Sequence, residues 1–230
     1  MSVAAIVVAG GLGSRIKSNI PKQYLKIGGK EIIIHTLQKF EKIEQIDEII
    51  VAVNKDYLKF CEEELLRAYE LHKCKFIEGG ETRQESVYNG LKCVKNDTEI
   101  VLIHDSVRPF VEESKILELI QETFKNGSCT LGVKVKDTIK ICNIEREIIK
   151  TPKRETLWAM QTPQCFKYEI LRVAHEIAIS ENFVGTDDCI LVERIGGKVK
   201  VIESSYGNIK ITSEEDLKYS EFVIDYVNKA

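Results

Sequence analysis

The sequence predicts an α/β protein: a Rossmann-like, mixed but mostly parallel sheet flanked by helices, with one protruding β-hairpin arm. Three observations predict it. Apolar runs of strand length alternate with segments of helical period as far as about residue 127. Three of those strands end in glycine or charged residues. After residue 128 the pattern changes to β-prone residues that turn back on themselves.

The alternation runs "AAIVVAG" (strand), "EIIIHTLQKF" (helix), "DEIIVAVN" (strand), "EEELLRAYELH" (helix), "CKFIEGG" (strand) and "RQESVYNGLKCV" (helix). "EIVLIHD" (strand) and "ESKILELIQETFKNG" (helix) continue it. Ligands of such sheets bind beyond the carboxyl ends of the strands, so Gly10 to Arg15, Glu78 to Ser86 and His104 to Pro109 are expected to share a cleft. From "CTLGVKVK" to "LWAMQ" the β-prone "KDTIKICNIEREIIK" turns between Asn143 and Glu147 as a hairpin. A lone hairpin is marginal, so this arm, at about 136–158, is expected to pack on something else, such as a second subunit. "TPQCFKYEILRVAHEIAI" reads as a helix with Thr162 as N-cap and Pro163 in its first turn. Thr212 and Glu215 form a capping-box pattern before a last amphipathic helix.

The 230 residues, 43% hydrophobic and 30% charged, suffice for one domain spanning 1–230 with a full core. A net charge of -3 gives no general attraction to nucleic acid or membrane, so neither is expected as a partner. No apolar run approaches the ~20 residues that cross a bilayer, and a soluble, cytoplasmic protein is expected. Seven scattered cysteines without C-x-x-C spacing read as reduced thiols, not as a disulfide framework or zinc site.

The first strand leads into Gly10, Gly11 and Gly13, with Arg15, Lys17 and Lys22 close behind. Glycines admit a ligand to the backbone and turn amides attract anions, so this pattern points to phosphate. It is not the dinucleotide fingerprint, because Ile16 stands at the third glycine and the second strand ends in Asn54 rather than an acid. Nor is it a Walker loop, which needs glycine where Ile16 precedes Lys17. Cations around a phosphate cleft suit phosphoryl chemistry, where charge stabilisation does most of the work. No Ser-His-Asp or Cys-His constellation is evident. On residue type alone, Arg154 and Lys210 read as surface cations, His104 and Trp158 as structural, Glu62 to Glu64 as a solvated helix face, and Asp105 as readily as a helix cap or partner of Arg108 as a functional residue.

"AGGLGSR" with "PKQYLKIGG", "EGGETRQESVYNGL", "HDSVRPF", "KDTIK", "RETLWAMQTPQCF", "TDDCILVE" and "NIKITSEEDL", in this order, resemble the sugar-nucleotide pyrophosphorylase-like cytidylyltransferases over essentially the whole chain. The resemblance implies the nucleotidyltransferase fold and magnesium-dependent transfer of a cytidylyl group from CTP to a polyol phosphate. Methylerythritol 4-phosphate is favoured as acceptor, with ribitol 5-phosphate as the alternative. "HDSVRP" leans toward the ribitol enzymes, whereas "RETLWAMQTPQCF" and "TDDCILVE" lean back. It further implies that Arg15 and Lys22 brace the triphosphate and stabilise the transition state, with Gly11 and Gly13 cradling it. Gly80, Glu81 and Ser86 would meet cytosine and ribose, and Asp105 would lie near ribose or metal. Arg108 would line the cleft, and Lys210 and Arg154 would position the acceptor phosphate, helped by Thr138, Thr162 and Thr186. The arm carrying Thr138 and Arg154 would enter a partner's site in a homodimer. The rival readings are a nucleotide-binding protein without turnover and a dinucleotide oxidoreductase.

Overall fold

The computed structural model describes residues 2–11, 16 and 18–229. The strands are β1 (Ser2–Ala9), β2 (Lys26–Ile27), β3 (Lys30–Glu31), β4 (Glu48–Val53), β5 (Cys74–Glu78), β6 (Thr98–Asp105), β7 (Ser128–Lys134), β8 (Ile141–Cys142), β9 (Ile148–Lys150), β10 (Trp158–Lys167) and β11 (Lys200–Glu203). The helices are α1 (Ile32–Glu41), α2 (Lys55–Phe60), α3 (Leu66–Tyr69), α4 (Arg83–Leu91), α5 (Glu113–Asn126), α6 (Tyr168–Ser180), α7 (Asp188–Arg194) and α8 (Glu214–Lys229). Seven strands form one sheet in the order β11-β7-β10-β6-β1-β4-β5. β10 runs antiparallel to both neighbours and the other pairs are parallel, so the sheet is mixed and mostly parallel as expected.

Strand periodicity explains the layering. Val3, Ala5 and Val7 of β1 face one core with Ile34, Leu37 and Phe40 of α1, while Ala4 and Ile6 face the other with Val87 of α4 and Leu171 of α6. A strand buried on both faces must be apolar throughout, which is why "VAAIVVA" shows no alternation. A third cluster, Ile27, Ile32, Val107 and Ile211 with Leu217 and Ile224, seats α8 against the end of the sheet. From β1 the chain builds β4 and β5 on one side and then crosses to β6 on the other. The carboxyl ends of β1 and β6 therefore flank a topological switch point, where such folds bind ligands.

Two expectations need correction. Thr162 does not cap a helix: residues 158–167 are strand β10, bonded to β6 and β7, and α6 begins only at Tyr168, after Lys167. Pro163 lacks an N–H and falls where the ladder with β7 shifts register between Met160 and Gln164, which makes a proline tolerable inside a sheet. The box opening α8 lies one residue further along than Thr212 and Glu215. Ser213 Oγ accepts from the Asp216 N–H at 3.2 Å, and the Asp216 carboxylate accepts from the Ser213 N–H at 2.9 Å. Elsewhere the anticipated helix at 62–72 is realised as α2, a π-helical segment Cys61–Leu65 and α3.

The hairpin is present as β8 paired with β9, and Asn143 N–H donates to Glu147 O at its turn. It leaves Ile141, Ile148 and Ile149 exposed, with Ile144 at its tip 93% exposed.

Candidate active site

Beyond β1 and β6 lies a hollow of about 220 Å3, lined by Gly10, Gly11, Lys22, Gly80, Ser86 and Asp105 among others. A second, of about 250 Å3, is lined by Arg108, Thr162, Thr186 and Asp187 among others. Arg83, Asp105 and Lys210 border both, so these three stand at the join.

Local sequence positions each wall. Gly11 has open space where a Cβ would go, which leaves its backbone accessible to a ligand. Gln23, buried behind it, donates its amide to Ala9 O at 2.6 Å and Gly11 O at 3.0 Å, fixing the direction of the turn. Gly80 permits the tight entry to α4, since a Cβ there would collide with that of Glu85. The Thr82–Glu85 capping box closes that entry, and Ser86 Oγ accepts the Gly80 N–H at 3.0 Å. On the far side the loop before α8 is stitched to the β6 end. Ile211 N–H donates to Val107 O, Arg108 Nη1 to Asn208 O at 2.8 Å, and Lys22 Nζ to Ile211 O at 3.0 Å.

The electrostatic centre is Asp105. Lys210 Nζ lies 2.9 Å from Oδ2, Arg108 Nε 3.4 Å from Oδ2 and Arg83 Nε 3.5 Å from Oδ1. Burial alone would raise the pKa of this carboxyl, but Lys210, Arg83 and Arg108 outweigh it and hold it well below the usual range. With Asp188 also accepting from Arg83, three cations face two carboxylates at the join, a setting for anions. Among the described residues no three metal-ligating side chains cluster, and both Asp105 oxygens face cations. That donor set fits a magnesium ion carried in on phosphate oxygens, to which Asp105 adds at most one ligand.

Thr162 and His104 form a buried pair behind this centre. The Asp105 N–H donates to Thr162 Oγ1 at 3.1 Å, and Thr162 Oγ1 meets His104 Nδ1 at 3.0 Å. His104 Nε2 lies 3.2 Å from Arg108 O, a carbonyl that needs a donor, so Nε2 carries the proton and Nδ1 accepts from the hydroxyl. Burial pushes the His104 pKa down to about 3, keeping the ring neutral. The pair thus orients the backbone of Asp105 and Arg108, in line with the structural role read for His104.

Of the residues singled out in the sequence, Gly11, Lys22, Gly80, Glu81, Ser86, Asp105 and Lys210 come together in the first hollow. Arg108, Thr162 and Thr186 line the second. Thr138 and Arg154 border neither: they lie on the exposed arm, where Arg154 Nη1 donates to Lys136 O. Gly13 and Arg15 lie outside the described residues. Arg83 and Gln23 were missed, although "TRQ" and "PKQ" put both inside the motifs that carried the resemblance.

The profile of the 2-C-methyl-D-erythritol 4-phosphate cytidylyltransferase (IspD) family matches residues 3–226. The chain belongs to this family. Its members include the enzyme of that name from Caldanaerobacter subterraneus subsp. tengcongensis, 44% identical over 97% of this chain and 99% of that one. The Clostridium novyi enzyme is 45% identical, over 97% and 96% of the two chains. A crystal structure of 4-diphosphocytidyl-2C-methyl-D-erythritol synthase from Anaerococcus prevotii superposes with a TM-score of 0.87 at 33% identity, covering 97% of this chain and 96% of that one. The family's fold is therefore the fold described above, and the chain is a cytidylyltransferase.

Proposed function

We propose that the two joined hollows are where this chain carries out its family's reaction. That reaction transfers a cytidylyl group from CTP to 2-C-methyl-D-erythritol 4-phosphate with release of pyrophosphate, in non-mevalonate isoprenoid synthesis. The observation that carries this placement is the convergence of Arg83, Arg108 and Lys210 on Asp105 at the join. Nucleotide and acceptor, both anionic, would meet there. The turn at Gly11 and Lys22 holds the triphosphate, with Gly13 and Arg15 in the same role. Gly80, Glu81 and Ser86 receive the base and ribose. Arg108, Thr162, Thr186 and Lys210 hold the acceptor phosphate.

A phosphate monoester with a second pKa of about 6 is largely dianionic at pH 7 and needs no strong base to attack. The residues' task is to hold its oxygen in line with the α-phosphorus and to neutralise the crowding of like charge. Magnesium, bound on the triphosphate, would withdraw charge from the phosphate oxygens.

Homodimerisation completes the reading. The chain acts as a single domain, 1–230, whose arm at 136–158 brings Thr138 and Arg154 to the partner's cleft. This is supported by an arm whose strands β8 and β9, among the described residues, pair with each other and not with the main sheet, and which exposes isoleucines and keeps both residues away from its own hollows. A cytoplasmic setting accords with seven unpaired cysteines. Among the described residues no helix is long and apolar enough to cross a membrane.

Pyrophosphate release with CTP and magnesium, run in parallel with methylerythritol 4-phosphate and ribitol 5-phosphate, tests this reading. Release is expected with the first acceptor, and selectivity for it of at least about 100-fold follows from a site built around specific hydroxyl and phosphate contacts. Release with ribitol phosphate alone would reassign the acceptor, and silence with both would overturn the reaction.

A further inference from the structure

Arg83 has no role in the site derived from the sequence, yet it borders both hollows and is held from behind by a buried chain of polar groups. His175 of α6 is fully buried and its Nε2 lies 3.0 Å from Asp188 Oδ1. The other Asp188 oxygen accepts from Arg83 Nη1 at 2.7 Å. Asp188 is itself fixed, since its N–H donates to Gln164 Oε1 at 3.0 Å while Gln164 Nε2 donates to Asp187 Oδ2 at 2.8 Å. The Tyr88 ring, from the same helix as Arg83, stacks on His175 at 6.0 Å. His175 Nδ1 has no partner, so the ring's one hydrogen bond is spent on Asp188.

We propose that Arg83, anchored by Asp188 and His175, is a positioning residue that fixes the Asp105 carboxylate and, through it, the Lys210 ammonium at the join between the nucleotide and acceptor hollows. The inference rests on the function proposed above. An ion pair with a buried carboxylate adds little stability over apolar packing of the same shape, whereas it does fix the direction of a planar guanidinium. That direction matters here. Nη1 is pinned to the start of α7, Nε faces Asp105 Oδ1, and Asp105 Oδ2 receives Lys210, so three elements far apart in sequence are held in one line. A small displacement of a phosphate-holding cation costs turnover more than it costs binding.

The test uses the full-length enzyme with saturating CTP and magnesium, comparing Arg83→Gln, Asp188→Asn and the double variant with the parent. Arg83→Gln is expected to lower kcat about 30- to 100-fold with the KM for CTP within about threefold, and Asp188→Asn to lower kcat about tenfold. Because one residue acts through the other, the double variant should be no more than about threefold worse than Arg83→Gln. Arg83→Gly should regain at least about fivefold in kcat with ~50 mM guanidinium, a planar substitute that sodium does not provide. Losses that multiply in the double variant, or Asp188→Asn within about twofold of the parent, overturn the proposal. Should Asp188→Asn fail to fold, the guanidinium experiment decides, and absence of rescue overturns it. An inactive parent overturns the function and this inference with it, whereas an active parent with unaffected variants overturns the inference alone.

Discussion

Lys22→Ala is expected to lower kcat about 100- to 1,000-fold while weakening CTP binding by about tenfold or less. Lys22 opens a short 3-10 turn directly after Pro21 and lines the nucleotide hollow beside the glycine turn. Its ammonium is held by Ile211 O, in the loop that also carries Lys210. A cation fixed in this way is aimed before the substrate arrives and needs little reorganisation as charge builds on the transferring group. Its value is therefore greater in the transition state than in the ground state. Single-turnover kinetics for kcat and calorimetry for CTP affinity separate the two contributions. Equal losses in both would make Lys22 a binding residue only and would revive the reading of a nucleotide-binding protein without turnover.

Asp105→Asn carries the second large effect: a loss of about 3 kcal/mol in stability together with at least about 100-fold in kcat. The amide keeps the shape of the carboxylate but leaves Arg108 and Lys210 without their counter-charge and Arg83 with Asp188 alone. Arg83 and Arg108 are partly buried, 28% and 12% exposed, and Lys210, 38% exposed, is partly screened by water, which keeps the expected loss at the low end for a broken buried pair. The pH dependence follows from the direction of the pKa shift. Asp105 is held below its unfolded value, so its contribution is complete above about pH 4 and is lost only as pH falls through the lower folded value. Urea unfolding of parent and variant should thus differ by a constant amount from about pH 8 to 5, with the gap narrowing only below about pH 4. A gap under about 0.5 kcal/mol at pH 7 would show that the three cations do not depend on Asp105.

The parallel half of the fold was legible because strands buried on both faces, such as β1 and β4, must be apolar throughout, and because the helices between them announce their ends. The helix read in "RQESVYNGLKCV" is present as α4, and the structure adds its cap, the box of Thr82 with Glu85. β10 was not legible. Its Thr162-Pro163 mimics a helix start, and only pairing with two strands more than twenty residues away makes it a strand. The glycine turn and Lys22 were readable as a phosphate-binding turn from residue type and spacing, and the "HDSVRP" strand end as part of the same cleft from its place at a strand's carboxyl end. Arg83 was not, because what gives it direction is Asp188, 105 residues along the chain, and a buried histidine from a third helix. Gln23 escaped for the same reason, since a glutamine says nothing about which carbonyls it will hold.

Transfer is expected to occur in a single in-line step between two substrates held by fixed cations, with no group of the protein attacking phosphorus. Among the described residues, the pair at the site that most resembles a nucleophile and its base is Thr162 with His104. Its hydroxyl is occupied by the Asp105 N–H and the imidazole, and both residues are buried. The decisive measurement is the stereochemistry at the α-phosphorus, using CTP made chiral there by one sulfur atom. The geometry predicts inversion of configuration in the cytidylyl product. Retention would mean two successive displacements through a cytidylylated side chain, which would contradict direct transfer and point to Thr162.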